Sequence, residues 1–328
     1  MAAPEFRALD GVEYGAVEQV SPLIRRVIAN NPSKFTYRGT GTYMVGHGDV
    51  VVIDPGPRLD SHRDALAAAL QGERVRAILV THCHADHSPL AEWLRAESGA
   101  PTLAYGPHPR PDPRLEPRRA VRSEDSARGT APGRADGEGR VAIEEATDFD
   151  FTPDERVADG DVAVSGGGVT MRAVHTPGHT SNHMCWSLDE ESALFTGDHV
   201  MGWSTTVVSP PDGDMAAYVD SLRRVAGRDD AVLWPTHGPC RDDARHYVGA
   251  LIDHRLAREA AVLDAVKAGR GTAAEIVELL YADVREELHE PAARSVWAHL
   301  VKLVDEGHLV VEGAEEGLTT LDATYRAS

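Results

Sequence analysis

Residues 75–90 read VRAILVTHCHADHSPL, an apolar run that closes on His82, His84, Asp86 and His87 within six residues. VRAILV has the length and β-branched content of a buried strand, and LAEWLRAES (90–98) after it has helical spacing and stops near Gly99. The four side chains therefore sit on a strand-to-helix junction, where a short turn can aim several of them into one cavity. A lone histidine is more often a core or surface residue than a ligand. A cluster changes that balance, because imidazole and carboxylate are the nitrogen and oxygen donors that zinc prefers.

Upstream, FTYRGTGTYMVG (35–46) and VVVIDPG (50–56) flank GHGD, which is a hairpin signal, and a helix is expected from Ser61 to Leu70. Downstream, strand-like runs occupy 157–164, 169–175, 183–188, 193–196 and 231–237. Further donor candidates recur where these runs end: His179 in TPGHTSNH, Asp198 in FTGDH and His237 in LWPTHGP. Each stands beside Gly or Pro, as expected of loops converging on one edge of a sheet sandwich. Cys83 lies between two candidate ligands, where strand alternation points it away from them, and it reads as structural, as does Cys240. His183 and His199 flank the motifs and read as packing or tuning residues. Asp54 ends VVVID and is a candidate support for a ligand histidine or its turn.

Helical periodicity predicts α-helices over 214–226, with Asp214 as N-cap, and over 242–266. Two further helices are expected at 272–281 and 291–304, started by Thr272 and Pro291. EGHLVVEGAEEGLTTL (306–321) then holds two short β-like runs around a Gly-rich turn. Helix, helix and hairpin in this order resemble a winged-helix module. Residues 106–140 are rich in Pro, Gly, Arg and acids with few aliphatics, so an insertion loop is expected there, with 110–140 a solvated tether. This divides the chain into a large domain over 1–252, which carries the donor candidates, and a winged-helix-like domain over 253–328.

The chain has 328 residues, 42% of them hydrophobic, enough for one large domain and one small one. No run approaches the roughly 18 apolar residues of a membrane span, and the acids in MAAPEFRALDGVEYG differ from a targeting peptide. A cytoplasmic protein is expected, and three cysteines agree with a reducing compartment. A net charge of −19 argues against general attraction to nucleic acid.

THCHADH, PGHT, GDH and PTHG, in that order and with those gaps, resemble the metallo-β-lactamase superfamily over roughly residues 20–250. The resemblance implies an αββα sandwich with two zinc ions at one edge, iron or manganese being the alternatives. It implies that His82, His84 and His179 form a first site, that Asp86, His87 and His237 form a second, and that Asp198 bridges them. Two such ions about 3.5–4 Å apart can hold a bridging hydroxide as nucleophile, because coordination drops the pKa of water to ~7. Asp86 would also act catalytically, by orienting the nucleophile or handling its proton.

The expected activity is hydrolysis of an ester, thioester, lactone or phosphodiester. His84 stands where the diiron branch of the superfamily carries Glu, which disfavours an oxygen-reducing protein. The winged-helix tail resembles the subgroup that includes a mitochondrial single-strand endoribonuclease, so single-stranded RNA is a possible substrate, with 204–214 and the residues around Phe35 and Thr36 lining the cleft. Against RNA, residues 255–328 hold eight Lys or Arg and fourteen Asp or Glu, 8 − 14 = −6. The tail could instead cover the site or mediate a homodimer. Two other classes remain open: a mononuclear iron persulfide dioxygenase, and a DNA-binding winged helix with a structural metal.

Overall fold

A computed structural model describes residues 4–110, 146–282, 289–312 and 319–328. The insertion beyond residue 110, with its arginine-rich segment, lies outside the described residues. A seven-stranded sheet runs in chain order through β1 (Val17–Gln19), β2 (Ile24–Ile28), β3 (Gly41–Val45), β4 (Asp49–Ile53), β5 (Arg74–Leu79), β6 (Thr102–Ala104) and β7 (Glu155–Arg156). Its first four strands are antiparallel, and the last four are parallel. The parallel β4–β5 and β5–β6 connections need crossovers, supplied by α1 (Asp60–Ala69) and α2 (Ala91–Ser98). A second sheet of five strands is ordered β12-β11-β10-β9-β8, from β8 (Val162–Gly166), β9 (Val169–His175), β10 (Met184–Leu188), β11 (Ala193–Gly197) and β12 (Val232–Pro235).

Strand alternation builds the layers. Tyr43, Val45, Val51, Ile53 and Leu79 face Met171, Ala173, Trp186, Phe195 and Trp234 in one core between the sheets. The intervening Met44, Val52 and Ile78 point to the opposite face, where Leu66 of α1 and Leu94 of α2 cover them. Cys185, Leu194 and Leu233 do the same on the second sheet, under α3 (Met215–Ala226) and the start of α4 (Ala244–Lys267). Helix, sheet, sheet and helix thus form the four layers of an αββα sandwich, with large side chains such as Trp186 contributing about 2–3 kcal/mol each by burial.

Helix α4 runs unbroken through residues 252 and 253. Tyr247, Val248 and Leu251 pack on α3, whereas Val262, Ala265 and Val266 join a separate core with α5 (Ala273–Leu280), α6 (His289–Asp305), β13 (Leu309–Val311) and β14 (Tyr325–Ala327). This last core is the winged-helix unit. Thr272 caps α5 in a reciprocal box with Glu275, and Asp214 caps α3 by accepting from Ala217 N–H at 2.9 Å.

Several sequence expectations shift. The hairpin strand begins at Gly41, because residues 34–38 turn, with Tyr37 at φ 55°. The run 157–164 is broken by a turn at 159–161, where Asp159 accepts from His175 N–H and pairs with Arg224. The second β-like run of the tail is not in 319–321. Strand β13 pairs with β14 at the chain's end, where Tyr325 is buried in the winged-helix core and bonds through its N–H to Gly271. Strands β1 and β2 were not anticipated: Arg25 and Arg26 disguise a strand whose five residues are all buried.

Candidate metal centre and its pocket

The C-terminal ends of β4, β5, β11 and β12 and the loop between β9 and β10 meet at one edge of the sandwich. Asp54 follows β4, and the His82–His87 segment follows β5. His179 lies in the β9–β10 loop, and Asp198 and His237 follow β11 and β12. The donor atoms of His82, His84, His179 and Asp198 form one group and those of Asp86, His87 and His237 another, with the atoms of each group within 4.8 Å of one another. Asp198 stands between them: its Oδ2 is 3.7 Å from His179 Nε2, and its Oδ1 is 3.5 Å from His237 Nε2 and 3.6 Å from His87 Nε2. All the ligand candidates from the sequence converge here.

The imidazoles are oriented from behind. His179 Nδ1 donates to the Val207 carbonyl at 2.6 Å, and His237 Nδ1 donates to the Gly39 carbonyl at 3.1 Å. A carbonyl oxygen only accepts, so Nδ1 carries a proton and Nε2 is the nitrogen that faces inward. Asp54 organises the rest. Its carboxylate accepts from Thr81 N–H and Thr81 Oγ1 at 2.8 Å each, from His87 Nδ1 at 2.9 Å and from Thr236 Oγ1 at 3.1 Å. Having donated to Asp54, Thr81 Oγ1 is left to accept from His82 Nδ1 at 3.0 Å, which turns the His82 Nε2 lone pair inward as well. Asp54 is fully buried and holds φ 47°, a strained backbone for a non-glycine residue.

This donor set fits divalent metal. His82 Nε2 and His179 Nε2 face His84 Nδ1 at 2.9 and 3.2 Å, more inward nitrogens than hydrogen bonding can satisfy, and His87 Nε2 and Asp198 Oδ1 have no hydrogen-bond partner among the described residues. Burial, then the neighbouring imidazoles, pushes His82 well down and His84 down to about 3, so both are neutral and ready to ligate. Burial works against the charged form of Asp86, but His87 and His237 outweigh it and hold that carboxyl well below the ordinary range. Burial opposes a charged His87 too, yet Asp86, Asp198 and Asp54 raise it well above the usual imidazole value. An incoming cation would therefore displace protons.

Glycine shapes the loops. Gly178 has φ 136°, and a Cβ there would meet the backbone of Tyr218 at 2.3 Å, so only glycine lets the His179 loop lie against α3. The cysteines and flanking histidines are structural in their contacts. Cys83 Sγ accepts from Asn182 Nδ2 at 3.1 Å, and burial raises its thiol to about 11. Cys240 is half-buried against the inter-sheet core. His183 Nδ1 meets Thr176 Oγ1, and its Nε2 accepts from Asp198 N–H at 3.2 Å, bracing the Asp198 loop. His199 stacks edge-on against Tyr218.

The donors floor a pocket of about 220 Å³ that His84, His179 and Asp198 line directly. Phe35, Phe149, Met201, Trp203 and Val207 supply apolar wall, and the 204–213 loop forms one side. Thr36 does not line it: its side chain turns inward to the Asn31 carbonyl. Several lining residues escaped the sequence reading, among them His108, Trp203 and Arg294. His108, in the Pro-rich stretch read as loop, is buried with Nε2 3.5 Å from Asp212. Trp203 stacks on Tyr37 at 4.6 Å, and Arg294 comes from α6. The supporting threonines were also missed, although the repeated Thr-His dipeptides at 81–82 and 236–237 signalled them.

Comparison with known proteins agrees with this architecture. Residues 37–237 match the Metallo-beta-lactamase superfamily, and residues 272–317 match the Beta-lactamase associated winged helix domain. An atrochrysone carboxyl ACP thioesterase of Aspergillus chevalieri is 31% identical over 288 residues, covering 84% of this chain and 79% of its own. A lactamase-like protein of Aspergillus niger is 30% identical, covering 90% and 85%. A beta-lactamase domain protein from Burkholderia ambifaria superposes with a TM-score of 0.72 at 20% identity, covering 97% and 96% of the two chains, which shows a shared fold. Among the described residues no helix is long and apolar enough to cross a membrane. The four motifs that end on one sheet edge, the sandwich that carries them and the module behind it are those of a family, and this chain belongs to the metallo-beta-lactamase superfamily.

Proposed function

We propose that this chain is a dinuclear metal-dependent hydrolase of acyl thioesters. The observation that carries the hydrolase reading is the pair of adjoining donor groups opening, through His84, His179 and Asp198, onto a pocket with apolar walls. His82, His84 and His179 would hold one ion and Asp86, His87 and His237 the other, with Asp198 shared. Imidazole and carboxylate suit zinc, with iron or manganese as alternatives. When bound, such ions supply Lewis acidity: they lower the pKa of water to about 7 and take up charge developing on a carbonyl oxygen.

The chain's own residues do the rest. Asp86 Oδ2, between Thr40 Oγ1 at 3.1 Å and His237 Nε2 at 3.1 Å, is the atom placed to receive a proton from the attacking water. Water adds to the acyl carbon, the carbon–sulfur bond breaks, and the thiol leaves with one proton. Phe35, Phe149 and Trp203 give the acyl group a dry wall, which supports an acyl substrate over single-stranded RNA. The thioester choice rests on the relatives named as acyl carrier protein thioesterases, one of which is 30% identical over 309 residues. Two adjoining groups of donors favour two ions over a single iron, and so favour hydrolysis over persulfide oxidation.

The test is metal content per chain on protein purified without added metal, with a panel of thioester, lactone, β-lactam, phosphodiester and single-stranded RNA substrates. Close to two zincs and turnover of the thioester, abolished by chelator and restored by zinc, is expected. One iron per chain with oxygen consumption and no hydrolysis would overturn the proposal.

A further inference from the structure

The catalytic pocket is not built by the sandwich alone. Helix α6 of the winged-helix unit presents Arg294, Trp297, Val301 and Asp305 at spacings of three to four residues, one face of the helix. Trp297 and Val301 line a second cavity, of about 320 Å³, whose opposite wall is Pro210–Asp214. The same Pro210–Gly213 stretch forms a side of the catalytic pocket, so it is a partition with α6 behind it. Trp297 is 1% exposed, which fixes the helix, and one turn toward the N-terminus Arg294 reaches over the partition into the catalytic pocket.

Lys34 reaches the same pocket from the sandwich. These two cations are weakly committed elsewhere. Among the described residues Arg294 Nη2 meets only Glu290, at 3.3 Å, in a pair whose acid is 75% exposed and which is therefore worth little. Lys34 lies over the Phe35 ring at 4.8 Å and makes no ion pair among the described residues. The acids of the pocket are occupied: Asp198 belongs to the donor cluster, and Asp212 accepts from Ser181 N–H and Oγ at 2.8 and 2.7 Å and faces His108. In a chain of net charge −19, two cations here balance the two acids of the same lining, Asp198 and Asp212.

We propose that Arg294 and Lys34 anchor an anionic group of the substrate, so that the winged helix serves as a specificity element of the active site. This rests on the thioester reading and names the substrate class within it: a thioester whose thiol arm ends in phosphate, as phosphopantetheine does, or whose acyl group carries a carboxylate. Arg supplies a fork of donors and Lys a point charge, a pairing suited to phosphate or carboxylate oxygens.

Binding of non-hydrolysable amide analogues tests this by calorimetry. Four probes are needed: a neutral or a carboxylate-bearing acyl group on pantetheine or on phosphopantetheine. Wild type should bind one anionic series at least tenfold more tightly than the neutral probe. That preference should shrink to less than threefold in the Arg294→Gln/Lys34→Gln double variant, return in part with Arg294→Lys, and weaken with added salt. Preference for the phosphate arm places the anion on the thiol side, and preference for the carboxylate places it on the acyl side. Either supports the proposal. Equal binding of all four probes by wild type, or a preference unchanged in the double variant, overturns it. Because the readout is binding, it stands apart from turnover: failure to hydrolyse any thioester would remove the proposed reaction, while the affinity ratios still decide the cation anchor.

Discussion

Two parts of the molecule bury histidine beside acid, and they differ in one respect. At the sheet edge, His87, His179 and His237 each have one nitrogen tied to a protein acceptor and the other turned toward a common centre. Between α4 and α6, His299 is just as buried, yet its Nδ1 stands 3.5 Å from Glu259 Oε2, a carboxylate already bonded to Lys302 at 2.8 Å, and among the described residues no third donor completes a group with them. Among the described residues, donors converge only at the sheet edge. Burial alone therefore does not distinguish a site. Outer nitrogens anchored and inner ones aimed at one point do.

The largest expected effect breaks the inner half of that arrangement. Asp198→Ala removes the carboxylate shared between the two donor groups, and kcat/KM for the thioester should fall on the order of a thousandfold, about 4 kcal/mol of transition-state stabilisation. Metal analysis should show loss of bound ion in the same variant. Full activity with two ions still bound would sink the assignment.

Breaking the outer half should cost stability as well as metal. Asp54→Ala leaves Thr81 N–H, His87 Nδ1 and Thr236 Oγ1 without their acceptor in a fully buried setting. Unfolding free energy from urea titration should drop by about 2–4 kcal/mol, and metal affinity by roughly 10- to 100-fold. A variant that loses activity while metal affinity stays at wild type would show that Asp54 acts otherwise than by positioning ligands.

His62 sharpens the comparison from a third place. It is buried, it meets Thr42 Oγ1 at 2.9 Å, and burial lowers its imidazole to about 4. The unfolded chain binds a proton at about 6.5 while the folded chain does not until about 4, so stability present above pH 6.5 is lost as pH falls between those values. The full contribution is up to about 3 kcal/mol, from roughly 2.5 pKa units. His62→Leu should flatten the urea-midpoint profile between pH 6.5 and 4 by that amount; an unchanged slope refutes the burial argument for this residue.

How legible this was depends on the range of the interactions. The donor motifs could be read because each is local: a short apolar strand, a turn residue and a ligand-type side chain within a few positions, as in RAILVTHCHADH and LWPTHG. Strands β3, β5, β9 and β10 followed from the same alternation. Strand β2 was hidden because Arg25 and Arg26 sit in it. Arg25 is paired with Glu73 at 2.8 Å and Arg26 with Glu18 at 2.7 Å, partners that only the fold brings near. The far side of the pocket rim was hidden for the same reason: Arg294 lies 260 positions from Lys34 and meets the site because Trp297 seats α6 against 210–214. Strand β14 was misplaced because its partner choice is fixed by Tyr325 entering the winged-helix core, a tertiary preference with no local marker.

The smallest effect is expected where the comparison is closest. His299 is fully buried, and burial lowers its pKa, with Glu259 only partly offsetting this. It is thus held neutral, with a long contact to Glu259 of α4. Replacing it by Leu removes a polar group that is poorly satisfied and keeps most of the packing volume, while Lys302 continues to hold Glu259 at 2.8 Å. Such exchanges are close to neutral, so the unfolding free energy should move by less than about 1 kcal/mol in either direction. Metal content should not change, because the side chain lies outside both donor groups. Should His299→Leu lower metal content, burial beside an acid would be enough to make a site in this chain, and the distinction drawn from the inward-facing nitrogens would fail.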